Sequence, residues 1–115
     1  MIKLNYINFK KEVLSSDTPV LVGCYFAGDT SEKMMILLET LSGKYHEKIK
    51  FVKLDASEYD KLAEQYNVDK MPTLLLFHDG KEFDRIVGVM PDNMFELQLN
   101  TLLKKLYSKM VKKVK

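Results

Sequence analysis

The sequence is poor in cysteine and lacks tryptophan altogether. Its 115 residues include one cysteine, Cys24. A single cysteine cannot form an internal disulfide, which excludes a disulfide-stapled fold and a pair of thiols that cycles within one chain. The two histidines, His46 and His78, have no cysteine beside them and match no metal-site spacing. We therefore expect neither a metal nor a cofactor.

Long apolar runs are also absent. No stretch reaches the roughly 18 residues that a membrane-spanning helix needs, and residues 1–6 lack the apolar core of a secretion signal. We therefore expect a cytoplasmic protein. A chain of this length can bury a hydrophobic core without disulfides or metals, so we expect a single domain over residues 1–115.

Positive charge is concentrated at the end of the chain. Residues 104–115 contain six lysines and no acidic residue, a segment charge of +6, whereas 12 basic and 16 acidic residues elsewhere give −4. Apolar residues lie among these lysines, which predicts a basic helical extension able to make weak contact with an anionic membrane surface. The alternative is a final helix with a solvated end. Neither charge is large enough to indicate nucleic acid as a partner.

Runs rich in strand-forming residues alternate with helical patterns. The runs predict strands over residues 20–26, 49–55 and 73–77, and Asp79-Gly80 predicts a two-residue hairpin leading into a strand over residues 83–87. Helical spacing predicts a long helix from Ser31 to about Tyr45 and a final helix after Pro91. Shorter helices are expected around Tyr59 to Tyr66 and in a first segment that includes Ile7, Val13 and Leu14. This order predicts an α/β fold with a mixed sheet of four or five strands and helices on both faces.

The start of the long helix has a capping pattern. Asp29 followed three residues later by Glu32 matches a capping box, in which both side chains accept hydrogen bonds from free backbone N–H groups. Ser31 is a competing cap.

These blocks resemble the thioredoxin family over about residues 2–106. The resemblance is carried by the order and spacing of Val20-Leu21-Val22, Phe51-Val52-Lys53-Leu54-Asp55, Met71-Pro72-Thr73-Leu74-Leu75-Leu76-Phe77 and Asp79-Gly80. It implies a thioredoxin fold. The predicted final helix of this chain is about two turns longer than the family usually needs.

The same alignment places no cysteine where thioredoxins have their reactive pair. Asp29 and Glu32 occupy those two positions, with Thr30 and Ser31 between them. A carboxylate suits the positive end of a helix as a thiolate does, but it cannot attack a disulfide. The family's buried proton-handling acid falls at Gly23. We therefore predict no catalytic residues and hypothesise that the redox chemistry has been abandoned.

Cys24 has two interpretations. It lies within a buried strand, where a small apolar core residue is expected and burial raises the pKa of the thiol. The alternative is a redox centre that uses one cysteine, which would require the thiol to be exposed and close to positive charge.

The resemblance also implies a groove for an extended peptide. It implies a cis Met71–Pro72 bond facing the helix start, and a structural role in starting the next strand is the alternative explanation for this proline. The predicted binding residues are Asp29, Thr30, Met71, Pro72, Thr73 and Gly88.

Three functions are open on these grounds. The first is a redox-inactive module, not an enzyme, that binds a protein or extended peptide in the old groove. The second is a thiol–disulfide oxidoreductase that works through Cys24 or a partner's thiol. The third is a binder of anionic surfaces that acts through the lysine-rich helix. We expect a monomer.

Overall fold

A five-stranded mixed sheet forms the centre of the molecule. The structure is a computed structural model that describes residues 1–45 and 48–114. The strands lie in the order β1-β3-β2-β4-β5. They span Ile2–Lys3 (β1), Val20–Tyr25 (β2), Lys50–Asp55 (β3), Thr73–His78 (β4) and Lys81–Val87 (β5).

Strand directions follow the predicted pattern. β1 and β2 both pair with β3 in parallel, with Val22 opposite Val52. β4 pairs antiparallel with β2 and with β5. The predicted hairpin of β4 and β5 is therefore confirmed, as are the mixed sheet and the α/β fold.

The β4–β5 hairpin turns on Asp79 and Gly80. Their φ angles are 53° and 76°. A type I′ turn needs positive φ at both central residues, which explains why Asp-Gly marks this hairpin in the sequence.

Helices cover both faces of the sheet. They are a short π-helical segment over Lys10–Leu14, α1 over Thr30–Tyr45, α2 over Asp60–Gln65 and α3 over Asp92–Val114. Among the described residues, no helix combines the length and apolar character needed to cross a membrane.

The first segment differs from the prediction at Ile7, which is 92% exposed. The Asn5 side chain accepts hydrogen bonds from the N–H groups of Ile7 and Asn8, each at 2.8 Å. Such Asx turns compete with helix formation. Helical structure therefore begins only after this turn, and Ile7 points away from the core.

Each face of the sheet has its own hydrophobic core. On one face α1 and α3 pack on alternate residues of the central strands; on the other, the π-helical segment and α2 do so. The first core includes Leu21, Met35, Leu38, Leu99 and Leu106, and the second includes Val22, Cys24, Val52, Leu62 and Phe77. This sandwich fixes the start of α1 at the carboxyl end of β2.

Candidate functional site

Asp29 is the N-cap of α1. Its Oδ1 atom accepts a hydrogen bond from the Ser31 N–H at 3.0 Å and another from the Thr30 hydroxyl at 2.9 Å. These bonds, first the one from Ser31 and then the one from Thr30, lower the pKa of the Asp29 carboxyl. The carboxylate therefore occupies the electrostatic position that an anion prefers at a helix start.

The predicted capping box is displaced by one residue. The Glu32 carboxylate accepts the Gly28 N–H at 2.8 Å, whereas the Asp29 N–H donates to the Phe26 carbonyl at 3.1 Å. Because the tight turn already engages the Asp29 N–H, the Glu32 carboxylate bonds the N–H of the preceding residue, Gly28, instead.

Ser31 is not a cap. Its side chain is fully buried, and its hydroxyl accepts a hydrogen bond from the Phe26 N–H at 2.9 Å. It therefore ties the first turn of α1 to the end of β2. Both acidic positions and the serine between them serve the local structure of this helix start.

The only thiol lies inside the sheet. Cys24 is on β2, opposite Thr73 and Leu54 on the flanking strands, with no measurable solvent exposure. Burial raises the pKa of the Cys24 thiol from 9.0 to about 12, although the positive charge of Arg85 lowers it in part. At neutral pH the sulfur is therefore a protonated core atom and a poor nucleophile.

Gly23 is the position at which the family resemblance places a buried acid. A Cβ atom added at Gly23 would lie 2.6 Å from the Met35 sulfur and 2.8 Å from Leu38 Cδ2. The space into which a side chain at this position would project is thus occupied by the ends of two apolar side chains of α1. A larger residue there requires the Met35 and Leu38 side chains to move.

The loop before β4 and the residue after β5 bring four predicted residues together: Met71, Pro72, Thr73 and Gly88. The Met71–Pro72 bond is cis, and the Pro72 carbonyl accepts the Gly88 N–H at 2.9 Å. The Thr73 hydroxyl donates to the Lys70 carbonyl at 2.5 Å, so it is engaged within the loop. Met71 is half-buried against the core beneath α2. Contact between this loop and Asp29 remains a prediction.

Exposed apolar residues adjoin Gly88, and sequence reasoning missed them. Val87 and Val89 are 46% and 66% exposed, and Met94 at the start of α3 is also exposed. The alternation of side chains along a strand could have predicted this exposure, because Val87 must point away from the core that buries its neighbour Ile86. A loop with a positive φ at Gly88 therefore carries apolar side chains to the surface beside Pro72.

A concavity lies at the carboxyl ends of the parallel strands. This cleft of about 210 Å³ includes Tyr25, Glu32, Lys53 and Asp55 in its lining. The Asp55 carboxylate accepts hydrogen bonds from the N–H and hydroxyl of Ser57, at 3.0 and 2.5 Å. The cleft places Lys53 and Asp55 beside the start of α1.

A metal site is not evident. Among residues 1–45 and 48–114, no three histidine, cysteine, aspartate or glutamate side chains lie close enough to hold an ion.

Comparison with known proteins agrees with this architecture. Residues 1–101 match the family described as Thioredoxin. Thioredoxin C-2 of Corynebacterium nephridii is 40% identical over 86 residues, which cover 73% of this chain and 79% of that protein. Thioredoxin 1 of Nostoc sp. is 37% identical over 84 residues, covering 72% and 78%. Thioredoxin 2 of Chlorobaculum tepidum is 36% identical over 95 residues, covering 81% and 86%. The chain belongs to the thioredoxin family.

Proposed function

We propose that this chain is a redox-inactive thioredoxin-like module that binds a protein or an extended peptide at the former active-site groove. The observation that carries the proposal is the state of Cys24. The one thiol in the chain is a buried core residue whose pKa is raised to about 12. No second thiol exists to complete a dithiol cycle.

The residues at the old active site support the same proposal. Asp29 and Glu32 each accept a backbone N–H at the start of α1. A carboxylate has no reducing equivalents to give, so thiol–disulfide exchange at this helix start has no donor. Glycine at position 23 supplies no carboxyl group that could transfer protons during exchange.

Binding is supported by the apolar surface near the cis-proline loop. Met71 is half-buried, and Val87 and Val89 are exposed on either side of Gly88. Methionine and valine side chains give an adaptable apolar contact for a partner's side chains. Exposed apolar residues that cluster on a surface are typical of protein-interaction sites.

The alternative is a thiol–disulfide oxidoreductase that uses Cys24 or a thiol of a partner. The names of the relatives, which are thioredoxins, favour this alternative over a redox-inactive module. The name of a relative describes the chemistry of that relative. In this chain the one thiol, Cys24, lies within β2 rather than at a helix start, which weighs against the oxidoreductase alternative. A direct measurement separates the two.

The redox test is reduction of insulin by dithiothreitol with and without the protein. We expect the rate with wild-type protein to equal the rate with no protein, because no dithiol can cycle. The Cys24→Ser variant serves as the control and should give the same rate. Turnover by the wild type that disappears in Cys24→Ser would establish the oxidoreductase alternative instead.

The binding test is site-specific photo-crosslinking. A photoreactive amino acid at Val89 should give discrete adducts in cells, and Met71→Glu in the same protein should abolish them. The matched control places the crosslinker at Asp17, which precedes β2 and therefore lies at the opposite end of the sheet from the groove. Equal adduct patterns from both positions would show that the groove is not the binding site.

A further inference from the structure

The second half of α3 extends beyond the region that matches the family. The match ends at residue 101, whereas α3 continues to Val114. Leu102, Leu103 and Leu106 are buried against the sheet, so this extension is packed onto the domain. Its other side is exposed and basic, with lysines at positions 104, 105, 109 and 112.

This basic side borders a concavity along the seam between α3 and β5. The cavity has a volume of about 680 Å³ and opens widely to solvent. The half-buried ring of Phe83 on β5 forms part of its lining, and the Lys109 ammonium lies 5.3 Å from the centre of that ring. The lining includes Phe83, Thr101, Lys104, Lys105, Lys109 and Lys112.

The charge of this seam is only partly neutralised within the described part of the chain. All four charged residues that line it are lysines. Lys105 forms an ion pair with Asp84 at 3.5 Å and Lys109 lies over the Phe83 ring, whereas Lys104 and Lys112 have no ion-pair partner among the described residues. A surface with an aromatic ring and a net excess of ammonium groups fits a ligand that combines negative charge with an apolar side chain.

We propose that the α3–β5 seam binds an acidic polypeptide segment that inserts an aromatic or large aliphatic side chain onto Phe83. The segment's carboxylates would pair with the lysines around the cavity. The site is separate from the cis-proline groove, so the inference does not depend on the function proposed above.

A polypeptide fits this surface better than an anionic membrane does. The main apolar stripe of α3 is buried against the sheet, so it is not available to insert into lipid as the apolar face of an interfacial helix does. A bilayer would pair its headgroups with the exposed lysines and requires no contact with the half-buried ring of Phe83. Dependence of binding on Phe83 therefore distinguishes the two partners.

The first experiment measures binding of a labelled acidic peptide, Glu-Asp-Glu-Phe-Asp-Glu-Asp, by fluorescence anisotropy. Replacing the four lysines at 104, 105, 109 and 112 by glutamine should weaken binding about 30-fold, since each exposed ion pair contributes a few tenths of a kcal/mol to 1 kcal/mol. The matched control replaces four exposed lysines elsewhere, at 10, 11, 61 and 70, and should bind nearly as the wild type does. Equal weakening in both variants would show only a general charge effect and would overturn the proposal.

The second experiment uses Phe83→Leu, which keeps an apolar side chain and should remain folded by circular dichroism. It should weaken peptide binding about fivefold, in the range expected for loss of an aromatic contact. A peptide in which alanine replaces the phenylalanine should bind the wild type and this variant equally. If neither peptide binds but phosphatidylserine vesicles do, with no effect of Phe83→Leu, the surface binds lipid and the proposal is wrong.

Discussion

The Cys24 thiol lies among apolar side chains of β2 and its neighbouring strands, where solvent does not reach it. With a pKa of about 12, roughly one molecule in ten thousand carries the thiolate at pH 8. We therefore expect iodoacetamide to modify Cys24 very slowly in the folded protein and rapidly in 8 M urea, as followed by mass spectrometry. Equal rates in the two conditions would mean that the thiol is accessible and would favour the oxidoreductase alternative.

Asp29 offers a separate test at the same scale. Asp29→Ala removes the acceptor of the Ser31 N–H and should lower the melting temperature by a few degrees. Asp29→Asn keeps an acceptor and should lower the melting temperature less.

The pH dependence of this difference follows from the lowered pKa of Asp29. Stability from a carboxylate with a lowered pKa is present above the unfolded pKa of 3.8 and is lost as pH falls through the folded value. The gap between the wild type and Asp29→Asn should therefore close as the pH falls below 3.8 in thermal scans. Unchanged melting temperatures at pH 7 would show that Asp29 does not cap α1 and would leave recognition as its role.

At the scale of elements, the contact between β2 and α1 is unusually close at Gly23. Gly23→Ala places a methyl group within 3 Å of the Met35 sulfur and Leu38 Cδ2. Both atoms are ends of flexible side chains that can move, so we expect a cost of about 1 kcal/mol, the low end of the range for overpacking. Urea denaturation should show that cost for the single variant.

The double variant Gly23→Ala/Met35→Ala tests whether this contact is the cause. Shortening Met35 makes room for the new methyl group, so the double variant should be more stable than the sum of the two single changes predicts. If the losses of stability in the two single variants simply add in the double variant, the cost of Gly23→Ala does not come from its contact with Met35.

Most elements were predictable because their signals are local. The Asp79-Gly80 turn and the apolar runs of β2 and β4 needed only their own residues. Ile7 was misplaced because the Asn5 side chain offers the backbone a competing turn. The displacement of Glu32 onto the Gly28 N–H depends on how the chain leaves β2, which the capping pattern does not encode.

The site was harder to predict than the elements that build it. Met71, Pro72 and Gly88 could be proposed through the family resemblance, and the Gly88–Pro72 hydrogen bond joins two of them. The filled space at Gly23 and the Phe83 cavity could not be predicted. Each depends on side chains that meet across a helix–sheet interface, and no sequence spacing specifies such contacts.

For the whole molecule, the raised pKa of Cys24 predicts a loss of stability at alkaline pH. A group whose pKa is higher in the folded state stabilises that state below its unfolded pKa of 9.0, and this stabilisation is lost as pH rises toward 12. The slope should approach about 1.4 kcal/mol per pH unit.

The Cys24→Ala variant isolates this effect, because the tyrosines and lysines titrate in both proteins. The difference in unfolding free energy between wild type and variant should stay constant up to about pH 8 and shrink between about pH 9 and 11. Urea titrations at these pH values give the measurement. Parallel pH profiles would contradict the burial of the thiol.

The packing of α1 on Gly23 also bears on how such a protein can evolve. Two substitutions, at positions 29 and 32, would return a pair of cysteines to the helix start. An acid at position 23 would additionally need Met35 and Leu38 to yield their space. A chain with the acid alone would have to displace the ends of these two side chains, and a chain in which they alone were shortened would contain a cavity. Substitutions at positions 23, 35 and 38 are therefore coupled, so the effect of any one of them on stability depends on the other two.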